Sequence, residues 1–160
     1  MKRILLLFTA LALSAVVSGP LMAQGNPFVG TWKLNTEKSK YTGIPMQKSL
    51  TREVEAEGKG LKYSYKGTNG EGKPIDYSFS TKFDGKASPI TGTGAPAGAD
   101  SITIKRVNAS KTTAVLSKGG KEVGKSTAEV SKDGKVTTIT GTGTTADGKD
   151  YSTTSVFDKQ

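Results

Sequence analysis

From residue 50 onward the chain alternates apolar and polar positions with a period of two. Leu50, Arg52, Val54 and Ala56 share one face of an extended segment, and Thr51, Glu53, Glu55 and Glu57 share the other. Leu61, Tyr63 and Tyr65 alternate with Lys62, Ser64 and Lys66. Ile75, Tyr77, Phe79, Thr81 and Phe83 alternate with Asp76, Ser78, Ser80 and Lys82. Ile102, Ile104 and Arg106 repeat the pattern, and Tyr151, Thr153, Ser155 and Phe157 close it. Successive side chains of a strand point to opposite faces, so this period marks strands with one buried face. No useful length beyond residue 24 carries the 3.6-residue period of a helix.

Turn residues punctuate these segments at a spacing of about ten residues, the rhythm of an all-β barrel or sandwich. D-G at 84–85, 133–134 and 147–148 and G-G at 119–120 supply the positive φ angles that tight hairpins require. The pattern predicts about ten strands, beginning near 28, 47, 60, 73, 86, 100, 111, 121, 135 and 149. The expected fold is all-β: an antiparallel up-and-down barrel, round or flattened, forming one domain over residues 24–160. Two segments lack the alternation. T-G-T-G-A-P-A-G-A at 91–99 reads as a loop. Residues 36–46, interrupted by Gly43 and Pro45, read as a loop across one barrel mouth, with Tyr41, Ile44 and Met46 facing inward.

Shifting the sequence by 76 positions lays residues 51–73 on residues 127–149 without a gap. Thr51, Glu53, Val54, Gly58, Lys59, Gly67, Thr68, Gly72 and Lys73 fall on Thr127, Glu129, Val130, Gly134, Lys135, Gly143, Thr144, Gly148 and Lys149. A two-residue deletion then brings D-Y-S at 76–78 onto D-Y-S at 150–152, and Phe83-Asp84 onto Phe157-Asp158. The expectation is an internal duplication whose copies are halves of one barrel, since a lone three-stranded meander leaves its apolar face wet and its edges open. Turn dipeptides reused by unrelated hairpins are the other source of such a match.

The first residues stand outside this pattern. Lys2 and Arg3 precede an apolar stretch over 4–17 broken only by Thr9 and Ser14, and Gly19-Pro20 stands ahead of Ala23. This is the layout of a secretory signal peptide over residues 1–23. It predicts a mature N-terminus at Gln24, a secreted or periplasmic location and no transmembrane span after cleavage. The stretch falls short of the roughly 20 apolar residues a spanning helix needs.

The chain has no cysteine and no histidine. The first absence excludes disulfides, thiol chemistry and thiolate metal sites. The second removes the commonest metal ligand and the usual general base near neutral pH. Hence no metal site, no cofactor and no enzymatic activity are expected. The net charge of +9 comes almost entirely from lysines spaced singly along the chain. Nucleic-acid readers gather Arg and Lys with aromatics on one face, so nucleic acid is not an expected partner. Scattered lysines keep a sheet soluble and its edges protected, and they give a weak attraction to an anionic envelope. A monomer is expected.

Beyond residue 24 there are two arginines, Arg52 and Arg106, and both fall on apolar phases. In the hairpin that turns around 57–60, Arg52 comes opposite Tyr63 or Tyr65. Burying a guanidinium is costly unless it is paired. Both arginines are therefore expected to point into the barrel and to do one of two things. One of them binds an anionic head group such as a carboxylate, or both are structural, stacking on Trp32 or pairing with a tyrosine. Tyr63, Tyr65, Tyr77 and Phe79 share the inner phase. With Arg52 and Arg106 they form the candidate ligand-binding set, an apolar wall with a few polar points; the same residues would also fill a plain core. Ala and Thr are common on inner phases too, which leaves room for a ligand or lets the barrel collapse flat. Glu53, Glu55 and Glu57 stand about 7 Å apart along one strand face, within the span of inverting glycosidases. They lie opposite the apolar phase, so they belong to a solvated face. T-G-T-G at 91–94 and at 140–143 lacks the strand–helix context of a phosphate loop.

The opening segment P-F-V-G-T-W-K-L-N contains Gly30-Thr31-Trp32, which resembles the G-x-W signature of lipocalins, and G-T-W-K-L is also similar to the first strand of fatty-acid-binding proteins. The closing Y-S-T-T-S-V-F-D-K looks like the last strand of such barrels. The resemblance, nearest to secreted bacterial lipocalin-like domains, implies a calycin barrel around a ligand cavity, with Trp32 plugging its closed end. The chain departs from these families in two places. Residues 36–46 are too short and broken for a helical pair, and Thr153, Thr154 and Ser155 stand where an Arg is usual, so no carboxylate clamp carries over from the last strand. The leading functional expectation is non-enzymatic binding of a small, partly apolar molecule, neutral or anionic. The alternative is an envelope-associated interaction or inhibitor barrel that meets a protein or polysaccharide through its outer surface or loops. A sizeable apolar cavity favours the first; a filled core with an exposed aromatic patch favours the second.

Overall fold

The computed structural model describes residues 25–160; residues 1–23, expected to form a signal peptide, and the expected cleavage point lie outside the described residues. The strands, in chain order, are β1 (Gly30–Leu34), β2 (Lys40–Thr42), β3 (Ser49–Glu57), β4 (Gly60–Thr68), β5 (Pro74–Thr81), β6 (Ala87–Pro89), β7 (Thr91–Thr93), β8 (Ser101–Asn108), β9 (Lys111–Lys118), β10 (Lys121–Val130), β11 (Val136–Thr144) and β12 (Asp150–Lys159). All belong to one antiparallel sheet, ordered β6-β8-β9-β10-β11-β12-β1-β3-β4-β5-β7, with β2 also on β12. This is an up-and-down, nearly closed calycin-type barrel. Its helical content among the described residues is a single 3-10 turn, Pro96–Gly98.

Two differences from the expected ten strands have local causes. Residues 40–42, read as irregular, pair with β12 at Thr42↔Ser152 and Lys40↔Thr154. The break between β1 and β2 is held by side chains, with Asn35 Nδ2 donating to Asp158 Oδ2 at 2.7 Å and Ser39 Oγ accepting from the Val156 amide at 2.9 Å. The strand expected near 86 is split at the seam of the barrel. Residues 87–89 pair with β8, the chain passes Ile90, and residues 91–93 pair with β5. One segment thus closes the barrel by changing partners midway. The segment 91–99 escaped the period-two pattern because glycine occupies the closing position. Gly92 has φ +104°, and a Cβ there would collide with the Asp76 carbonyl.

The two stretches related by 76 residues fold as two meanders, β3–β5 and β10–β12. Val54 and Val130 both face the core. The turn at 69–73 and the turn at 145–149 carry the same backbone bonds, Asn69 N to Lys73 O at 2.9 Å against Thr145 N to Lys149 O at 2.8 Å. Each also carries an ion pair at matching places, Glu71–Lys73 and Asp147–Lys149. The registers beyond these turns, Tyr63↔Phe79 and Ile139↔Ser155, differ by 76 on both strands. The two-residue deletion expected from the D-Y-S match is therefore absent. Tyr77 corresponds in space to Thr153, not to Tyr151, and the shift of two preserves facing. The meanders differ instead at their first turns, where Glu57 pairs with Gly60 directly but Ser131 and Val136 are joined through a longer loop.

One end of the barrel is plugged. Phe28 and Trp32 are fully buried, the indole Nε1 donates to the Phe28 carbonyl at 2.9 Å, and Lys159 Nζ lies 5.0 Å above the indole ring. At the other end, residues 43–48 and the Pro96–Gly98 turn cross the mouth. Closure through Gly92 carries a testable consequence. Gly92→Ala should lower unfolding stability by roughly 1–3 kcal/mol, from left-handed backbone strain together with the lost close approach. Urea denaturation monitored by circular dichroism would read this, and a midpoint unchanged from wild type would mean that the seam does not require glycine at 92.

Candidate ligand-binding site

Arg52 lies in the middle of β3, flanked by Trp32 on β1 and Tyr65 on β4. Its side chain is 1% exposed. Nε donates to the Tyr65 hydroxyl at 3.1 Å, and the guanidinium carbon sits 5.1 Å from the centre of the Tyr63 ring. The choice between Tyr63 and Tyr65 left open by the sequence resolves into contact with both. No carboxylate accompanies the charge: the ion pairs among the described residues are all between lysines and surface acids. Nη1 is buried without a hydrogen-bond partner.

Arg52 lines a chamber of about 50 Å³ together with Tyr63, Tyr65, Phe79, Ile102, Ile104, Ile139 and small residues of β9 and β10. A second cavity of about 190 Å³ shares Tyr65, Phe79, Ile102, Ser126 and Ile139 with the first and extends to the mouth. Tyr41, Ile44, Gln47, Pro96 and Ala97 line its upper part. Neither lining contains an acidic residue. Tyr41 is held by a 2.7 Å hydrogen bond between its hydroxyl and Ser155 Oγ. Gln47 Oε1 is a second buried, unpartnered polar atom on this cavity.

Of the residues expected at the site, Arg52, Tyr63, Tyr65, Tyr77 and Phe79 are brought together, all buried on the inner face. Arg106 is not, and the expectation that it points into the barrel is corrected. It is exposed, with its guanidinium carbon 4.3 Å from the centre of the Phe83 ring. The phase is broken by distance along the barrel. The β8–β9 register shifts between Arg106 and Asn108, and this end of β8 runs past the plugged floor, leaving Val107 56% exposed. Neither arginine stacks on Trp32; Lys159 takes that place. Ala56, also assigned to the inner face, is exposed where β3 passes the same floor. Glu53, Glu55 and Glu57 face solvent as expected. Missed by pattern reading were Gln47 and the wall of small residues, Ser126, Gly141, Thr153 and Ser155. Their signal in the sequence was the abundance of small residues on inner phases, which does not say where a void will lie. A larger hollow of about 600 Å³ lies on the outer face, between threonines and lysines of β8–β12. It is an open surface groove.

No protein-family model matches the chain, and no curated protein matches it. Among solved structures it is similar to zebrafish ileal bile acid-binding protein complexed with cholic acid, at 16% identity and a TM-score of 0.50, over 84% of this chain and 99% of that one. The likeness is one of fold.

Burial raises the phenols of Tyr63 and Tyr77. Desolvation pushes Tyr63 from 10.0 up to about 12, against the opposing pull of the Arg52 charge, and holds Tyr77 well above its usual value. A tyrosine in the unfolded chain ionises near pH 10, so between about pH 10 and 12 the folded state keeps a proton that the unfolded state loses. The stability contribution is complete below about pH 10 and disappears as pH rises through about 12. Denaturation midpoints across this window should fall in the wild type and fall less in Tyr63→Phe. Equal slopes for the two proteins would show that Tyr63 ionises freely.

Proposed function

We propose that this protein is a non-enzymatic binder of a small, partly apolar, anionic molecule held inside the barrel. The observation that carries this reading is the buried Arg52 guanidinium, which lines the inner chamber with an unpartnered Nη1 and no internal carboxylate. A buried charge without a counter-charge costs stability; an anionic ligand supplies what the fold omits. The aromatic lining supports an apolar ligand body. The cholic acid bound by the zebrafish protein, an anionic apolar molecule, is chemically consistent with this choice. The surface-interaction reading finds no comparable support, since the exposed large hydrophobic among the described residues is Val107 and not an aromatic patch. Export to the periplasm or beyond, as a monomer, completes the proposal and rests on the leader pattern of residues 1–23. The shared facing of Val54 and Val130 supports an origin by duplication, after which the two meanders diverged.

Calorimetric titration with decanoate and with decanol tests interior anion binding. The carboxylate should bind more tightly than the alcohol. Arg52→Met should erase the difference, a loss of about 1.5–3 kcal/mol for a charge-assisted hydrogen bond. The unliganded variant should melt at or above the wild-type temperature, because the substitution removes an uncompensated buried charge while retaining apolar volume. A variant that still favours decanoate over decanol as wild type does would show that Arg52 serves the fold alone.

A further inference from the structure

The two meanders build unlike walls. On β4 and β5, Tyr65 stacks on Tyr77 with ring centres 4.7 Å apart and planes at 12°, and Tyr63 stacks on Phe79 at 4.9 Å and 19°. Both pairs are directly opposed across neighbouring strands. Their spacing equals the strand spacing itself, about 4.7–4.9 Å. Rings that stack along the direction between strands stand upright on the sheet, so their edges, not their faces, line the interior. In the barrel order, β10 and β11 lie across the lumen from β4 and β5. There, and on the adjoining β12, the second meander places Gly141 where the first has Tyr65, and Thr153 where the first has Tyr77. Ser126 and Ser155 continue this shallow, hydroxyl-bearing wall.

Building on interior anion binding at Arg52, we propose that the ligand is a flat aryl monocarboxylate of one or two rings, slotted between the upright rings and the small-residue wall with its carboxylate at Arg52. Three observations converge on this class. Ring edges carry the positive end of the aromatic quadrupole and favour the π face of an inserted ring. The outer cavity, at about 190 Å³, exceeds the roughly 150 Å³ that admits benzene in an engineered apolar cavity. It also falls below the roughly 300–1,000 Å³ of pockets that enclose drug-sized ligands, so a steroid skeleton such as that of cholic acid does not fit the chamber as built.

The test is calorimetric titration of the full-length mature chain with trans-cinnamate, decanoate, cholate and cinnamyl alcohol, with nuclear Overhauser contacts locating the cinnamate ring. Cinnamate should bind about tenfold more tightly than decanoate, as expected for edge-to-face contacts near the top of their range, and at least about tenfold more tightly than cinnamyl alcohol, which has the ring but lacks the charge that pairs with Arg52; cholate should not bind. Contacts from the cinnamate ring to Tyr65 and Tyr77 are expected. Ser126→Leu, which fills the slot opposite the rings, should weaken cinnamate more than the flexible decanoate; Thr153→Leu provides the same test from the next strands if the first variant does not fold. Decanoate binding as tightly as cinnamate, or cholate binding at all, overturns the aryl assignment while leaving interior anion binding in place. If none of the carboxylates binds, both fail together. Cinnamate binding without contacts to Tyr65 and Tyr77 overturns the slot.

Discussion

The structure depends on closing one antiparallel ladder upon itself without a disulfide to help. Every strand edge left open is a row of unpaired amides and carbonyls, and this chain has no cysteine with which to staple a partial closure. Closure is achieved at residues 87–93, where a single segment pairs first with β8 and then with β5. That change of partner needs a residue without a side chain at 92, since the backbone comes within contact of the Asp76 carbonyl. From this closure follow the inside and the outside, and hence the burial of the alternating face.

Inside the closed ladder, side-chain volume is distributed unevenly. The first meander carries Arg52, Tyr63, Tyr65, Tyr77 and Phe79; the second sets Ala128, Ile139, Gly141, Thr153 and Ser155 at corresponding places. A strand pairing shifted by an even number of residues keeps its facing, so this exchange leaves the fold intact while opening space. The void is thus the difference between two similar halves and needs no special backbone. The large residues stack across strands in pairs along one wall, while the small ones leave the opposite wall shallow.

The charge at Arg52 is the exception to an otherwise locally consistent interior. Its Nε is satisfied by Tyr65 and its face by Tyr63, but Nη1 is unpartnered and no acid shares its chamber. A fold selected for stability alone would pair this group or replace it. Departures of this kind concentrate at functional sites, where stability is given up for a task. Arg106 shows the contrast: the same residue type on the same phase lies past the floor, stacked on Phe83 in solvent, and breaks no rule.

The all-β class, most strand positions, the tight turns and the inward phase of Trp32, Arg52 and the aromatic wall were legible in the order of residues alone. These follow from local facts: alternation sets facing, and D-G or G-G dipeptides set turns, each within a few residues. Tertiary structure decided what depends on distant strands meeting. It split the seam at Ile90, which no local period records because its two halves answer to different neighbours. It placed Arg106 outside, since phase says which side of a sheet a residue faces but not whether the barrel still extends that far along the strand. It removed the apparent two-residue deletion, because two registers differing by an even step present the same pattern of buried and exposed positions. It also decided that small inner residues leave a cavity instead of a collapsed sheet, as the space beside Gly141 is bounded by side chains on the opposite wall, dozens of residues away in the chain.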